Sequence, residues 1–226
     1  MKKYIVLILI AILVTIFMII PTNPSFKIVA NKFINNSKIS NISKNDTPKI
    51  DKHNKKTEFT IIGVGDIMLG SNYPFEYLLP KNDANILQNT QNILKNADIT
   101  VGNLEGTLFD NDGTPKSCNN PNVCYVFRMP SRYGTYLKQA GFDYLSIANN
   151  HSNDFGEIGI KETIKNLDNL GIKYSGIKDI AESTILEKDE KKFGFISFSP
   201  NSATLKLNDY NYAKKLISEL KSKVDI

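Results

Sequence analysis

Residues 145–156, Leu-Ser-Ile-Ala-Asn-Asn-His-Ser-Asn-Asp-Phe-Gly, constrain the fold of this chain more than any other stretch. An apolar run ending in polar residues, then a glycine and a helical pattern, reads as a buried strand, a loop at its carboxyl end and a helix. In open α/β sheets that loop position is where ligands sit. Asn149, Asn150, His151 and Asp154 therefore stand where nitrogen and oxygen ligands are useful. Two amides, an imidazole and a carboxylate are more than a turn requires.

Two earlier runs end the same way. Residues 59–65, a β-branched run closed by glycine, deliver Asp66, and residues 98–102 deliver Asn103-Leu104-Glu105-Gly106. Between them Ile86, Leu87, Ile93, Leu94 and Ala97 stand at helical spacing over 84–97. Ser131 reads as the N-cap of a helix carrying Tyr133, Tyr136 and Leu137, which Gly141 stops. After the third strand, residues 156–170 place Ile160, Ile164, Leu167 and Leu170 on one helical face, with Gly171 at the end. Strands are expected at 172–175, 184–187 and 192–199, then a helix capped by Asn208 or Asp209, and Val224-Asp225-Ile226 opens as a further strand. Strands alternating with helices give the α/β class with a largely parallel sheet.

Charge divides the chain of 226 residues. The formal net charge is +5, of which Lys2 and Lys3 supply +2 and residues 21–57 supply +6, leaving −3 for residues 58–226. A mildly acidic domain without a basic stripe or interleaved aromatics excludes a nucleic-acid reader. Tyr4 to Ile20 is an uncharged apolar stretch behind two lysines, the short end of a membrane span. No good small-x-small cleavage site follows it, so 1–20 is expected to be an uncleaved signal-anchor rather than a cleaved signal. Lys27, Lys32 and Lys38 oppose the amino-terminal pair in setting orientation. Residues 21–57, mostly Asn, Lys, Ser and Ile, are too polar for a core and read as a linker, either merely solvated or holding an anionic polymer or lipid surface. The domain is thus 58–226. Its cysteines, Cys118 and Cys124, are six apart in an Asn- and Pro-rich loop; a disulfide and two free thiols both remain open, and export favours the disulfide.

Asp66, Glu105 and Asn150-His151 form an oxygen-rich set that suits Mn²⁺ or Mg²⁺, and the imidazole extends the choice to Zn²⁺ or Fe. Blander roles stand beside this one. Asp66 can cap a helix, Glu105 can pair with Arg128 or Arg132, Asn149 and Asn150 suit a turn, and His151 can be structural. Recurrence at three successive strand ends favours a shared site.

These pieces resemble the bacterial capsule-synthesis proteins called CapA, associated with poly-γ-glutamate. The resemblance lies in 65–70 (Gly-Asp-Ile-Met-Leu-Gly), 97–106 (Ala-Asp-Ile-Thr-Val-Gly-Asn-Leu-Glu-Gly), 127–130 (Phe-Arg-Met-Pro), 140–143 (Ala-Gly-Phe-Asp) and 148–156, and it spans roughly 59–223. It implies an extracytoplasmic, membrane-tethered protein with a domain similar to calcineurin-like metallophosphoesterases, an α/β/β/α sandwich of two sheets between helices. By that resemblance Asp66, Glu105 and Asn150 are metal ligands and His151 acts on the leaving group. Met68 stands where metallophosphoesterases usually carry histidine, as in other CapA relatives. Family members continue with His-Trp-Gly and Gly-His-x-His pieces, whereas this sequence has no Trp and its only other histidine is His53. The expectation is a sandwich truncated at its carboxyl end, weak in metal binding and hydrolysis, that serves an anionic surface polymer or its synthesis subunits. The alternative is a non-catalytic surface module that binds such a polymer or a partner subunit.

Overall fold

Residues 99, 101 and 103 face one side of their strand and 100, 102 and 104 the other, as strand geometry demands, and each side has a different cover. The computed structural model describes residues 58–120 and 123–226. Its strands are β1 (Ile61–Ile67), β2 (Ile99–Leu104), β3 (Thr107–Leu108), β4 (Arg128–Met129), β5 (Tyr144–Ser146), β6 (Lys173–Ser175), β7 (Ser183–Lys188) and β8 (Lys191–Ile196). The helices are α1 (Gln91–Leu94), α2 (Gly134–Ala140), α3 (Gly156–Leu170) and α4 (Tyr210–Lys221). Strands β1, β2, β5 and β6 pair in parallel in that order, β3 and β4 make a short parallel pair, and β7 and β8 an antiparallel hairpin.

On one side of the four-stranded sheet, Leu104 and Leu145 join Leu137 of α2, Leu167 of α3, Phe142 and Ile172 in the main core. On the other, Ile99 and Val101 meet Leu186, Phe193 and Phe195 of the hairpin. Tyr144 stacks on Phe195 at 4.4 Å, and its hydroxyl hydrogen-bonds the hydroxyls of Ser175 (2.7 Å) and Ser197. Helix α4 lies against the hairpin, where Leu220 abuts Gly194 so closely that a Cβ there would meet it at 2.8 Å. Helices, sheet, hairpin and helix thus follow one another, an α/β domain with a parallel central sheet. The expected membrane span at 1–20 and linker at 21–57 lie outside the described residues. Among the described residues no helix is long and apolar enough to cross a membrane.

Two expected helices differ. Only Gln91–Leu94 of the 84–97 pattern is α-helical. Asn82 and Asp83 take left-handed backbone angles, and Asn85 Oδ1 accepts from the Leu87 amide at 3.0 Å, so side-chain turns outcompete the helix. Ser131 opens a 3₁₀ turn and bonds Asp110 instead of capping α2. Asp209 does cap α4, accepting from the Tyr212 amide at 3.2 Å. Ile226 pairs with β8, its amide donating to the Lys192 carbonyl at 3.1 Å and its carbonyl accepting from Gly194 at 2.9 Å.

Gly176, just beyond β6, has φ +123 and sits so close to Ala148 that a Cβ would lie 2.9 Å from the Ala148 amide nitrogen. Ala148 is the last residue before the Asn149 loop, so this contact seats the loop on the sheet. Gly176→Ala is expected to cost about 1–3 kcal/mol through backbone strain, read as a lower urea midpoint; an unchanged midpoint contradicts it.

Candidate active site

The strand register aligns the chemistry. β1 and β2 pair Asp66 with Asn103, and β2 and β5 pair Asn103 with Ser146. A register shift between Gly63 and Asp66 re-aims the end of β1. The carboxyl ends of three parallel strands therefore lie side by side, and the loops behind them carry Glu105 and residues 147–155.

Asn103 links the two acids. Its Nδ2 donates to Asp66 Oδ1 at 2.8 Å and to Glu105 Oε2 at 2.7 Å. Asp66 is exposed, whereas Glu105 is mostly covered. Burial pushes the Glu105 carboxyl above the usual carboxylate range; the Asn103 hydrogen bond opposes this, and the nearby Asp66 charge reinforces it. Glu105 Oε1 lies 3.9 Å from His151 Nε2.

His151 is held from the other side. Its Nδ1 is 2.7 Å from Oδ2 of Asp154, a carboxylate with no solvent exposure, and the Phe127 ring stacks on the imidazole at 4.1 Å. The carboxylate can only accept, so His151 carries a proton on Nδ1 and turns Nε2 toward Glu105. Asp154 Oδ2 also accepts from the Phe127 amide at 2.7 Å. Its Oδ1 takes no hydrogen bond of ordinary geometry but faces the Lys116 ammonium at 2.5 Å. Lys116 and Phe127 flank the loop in which Cys118 and Cys124 are joined, their Cα atoms 5.9 Å apart.

Asp66, Glu105 and His151, from three separate stretches, are thus brought into one network. Asn150 belongs to the same turn but is exposed, and its side chain makes no hydrogen bond among the described residues. The buried amide is its neighbour Asn149, which donates to Asn103 Oδ1 and the Leu104 carbonyl. The blander roles for the acids are not taken up. Arg128 bonds Asn72 and lies over the Tyr73, Phe109 and Phe155 rings, and Arg132 pairs with Asp83. Lys116 escaped sequence reading because nothing marks one lysine in a polar loop, whereas Phe127 stood in a recognised motif with no role attached.

Among the described residues, no three His, Cys, Asp or Glu side chains gather as a ready cation cage. The donor chemistry nonetheless fits a hard divalent ion, since two carboxylates share one amide nitrogen and Glu105 bears a burial penalty that added positive charge would relieve.

The arrangement defines an α/β domain with an acid, amide and imidazole cluster at its strand ends. The family model described as bacterial capsule synthesis protein PGA_cap matches residues 60–225, and the chain belongs to that family. It is 30% identical over 127 residues to the capsule biosynthesis protein CapA of Bacillus anthracis, covering 55% of this chain and 30% of that protein. It is 32% identical over 122 residues to the uncharacterized proteins y4sH and y4uA of Sinorhizobium fredii, covering 53% of this chain and 24% of each. The matched part of the chain spans less than a third of the length of these relatives.

A raised carboxyl binds its proton more tightly in the folded chain than in the unfolded one, so its contribution to stability falls as pH rises through the folded value. In the presence of a chelator, Glu105→Gln is therefore expected to gain stability relative to the parent chain as pH is raised from about 4 upward. Chemical denaturation at a series of pH values checks this, and a difference that is flat with pH contradicts it.

Proposed function

We propose that this chain is a membrane-anchored, extracytoplasmic CapA-like protein that serves the biosynthesis of poly-γ-glutamate or a related anionic surface polymer. Its domain works as a metallophosphoesterase-like hydrolase site, one that is weak in this chain. Asp66, Glu105 and Asn150 hold a divalent cation (Mn, Mg, Zn or Fe), and His151 acts on the leaving group. The observation that carries the reading is the single network in which Asn103 joins Asp66 to Glu105 and Glu105 faces His151. The Bacillus anthracis relative, named for capsule biosynthesis, supports the polymer class. The apolar stretch at 4–20 supports the anchor, and the lysines of 21–57 suit an anionic partner, whether polymer or synthesis subunit.

A cation held by these residues would supply Lewis-acid polarisation of a phosphoryl oxygen. Asp154 holds His151 in the tautomer that leaves Nε2 toward the carboxylates, the atom placed to exchange a proton with a departing oxygen. Phe127 covers one ring face and keeps water from it. The described residues place one imidazole, that of His151, at the site.

Calorimetric titration of the full chain in detergent with Mn²⁺ tests the site. Asp66→Ala is expected to abolish binding. His151→Gln should retain it while lowering bis(p-nitrophenyl) phosphate cleavage by about 10²-fold or more. Affinity indifferent to Asp66→Ala overturns the reading. Binding without any cleavage by the parent chain instead identifies a non-catalytic polymer-holding module.

A further inference from the structure

Asn149 and Asn103 form a two-step chain whose direction is dictated by backbone groups. The Leu104 carbonyl can only accept, and it takes Asn149 Nδ2 at 2.8 Å. The His151 amide can only donate, and it gives to Asn149 Oδ1 at 3.0 Å. The Asn149 amide therefore has one permitted orientation. Its remaining N–H reaches Asn103 Oδ1 at 3.0 Å. With its oxygen engaged there, Asn103 presents its own NH₂ to Asp66 Oδ1 and Glu105 Oε2, one hydrogen for each acid. A hard cation at that place requires oxygen ligands, and an NH₂ group has the opposite polarity.

We propose that Asn149 is a positioning residue that locks Asn103 with its NH₂ toward the Asp66–Glu105 pair, making Asn103 a competitor of a divalent cation instead of one of its ligands. This rests on the cation-binding reading above. The clamp holds the two carboxylates together, and an entering ion must break two hydrogen bonds to charged acceptors before it is held. The site is consequently one of weak, exchangeable affinity, and the restraint lies in two neutral side chains that contribute no charge of their own. Lys116 and Asp154 do not enter this argument, because their charges pair directly with each other behind the imidazole.

The test is Mn²⁺ titration of the full chain and its variants, followed by calorimetry and, independently, by loss of the free Mn²⁺ electron paramagnetic resonance signal. Asn103→Leu, close in size but neither donor nor acceptor, is expected to bind Mn²⁺ about tenfold more tightly than the parent. Asn149→Asp accepts where Asn149 donated, so Asn103 turns its NH₂ inward and its oxygen toward the acids; affinity should again rise. Asn149→Asp also adds a negative charge, and the double variant isolates that contribution: relative to Asn103→Leu its affinity should rise by less than Asn149→Asp raises the parent's, because no amide remains to be turned. Affinity that is unchanged or weaker in Asn103→Leu overturns the inference, as does absence of binding in the parent and both single variants. Should circular dichroism show Asn149→Asp unfolded, Asn103→Leu decides by itself. Asp66→Ala separates the two levels. If it abolishes parent binding while Asn103→Leu weakens it, the cation site stands and the lock falls; if parent binding ignores Asp66→Ala, the site itself falls.

Discussion

Asp154 is a carboxylate with no access to solvent, and such a group is stable inside a protein only where donors surround it. Here the donors come from distant parts of the chain: the His151 ring, the Phe127 amide and the Lys116 ammonium. That requirement draws the disulfide-bearing loop down onto the turn that follows β5, and it fixes which nitrogen of His151 faces the acids. The Asp154 carbonyl adds a further tie by accepting from the Lys116 amide at 2.7 Å. Removing the carboxylate would leave a buried amide and an ammonium without partners and free the imidazole to turn. The cluster at the strand ends is in this sense built around the one fully buried charge rather than around Asp66 and Glu105.

A second layer of the site is neutral. Asn149 and Asn103 carry orientation from backbone groups to the two carboxylates, while the sheet register sets Asp66 and Asn103 side by side. Gly102, the residue before Asn103 in β2, has no room for a side chain, since a Cβ would meet Ile67 at 2.6 Å and Val64 at 2.8 Å. Packing of β1 on β2 and the chemistry at their ends are therefore the same constraint viewed at two points. Membership of the capsule-synthesis family fits such a domain.

Much of this was legible in the letters because apolar runs closed by glycine or polar residues are local signals. Asp66, Glu105 and His151 fell at strand ends on that ground alone, and the structure brings them into one network. The two asparagines before His151 show where the reading stops. Asn149 and Asn150 are chemically identical, and only the turn decides that the first is buried against Leu104 while the second is exposed. The 84–97 helix failed for a related reason, since Asn85 and its neighbours satisfy backbone groups in turns that hydrophobic spacing does not register. Lys116 was illegible altogether, because its role depends on a carboxylate 38 residues away whose burial is a property of the fold.

We propose that Asp66 and Glu105 converge to hold a divalent cation under restraint from Asn103. Anomalous diffraction from a crystal of the full chain soaked in saturating MnCl₂ tests it most directly. A manganese peak is expected within about 2.0–2.6 Å of oxygens from both Asp66 and Glu105, with the Asn103 oxygen still turned to Asn149. A peak bound elsewhere, or the two carboxylates on separate faces of the domain, would contradict it.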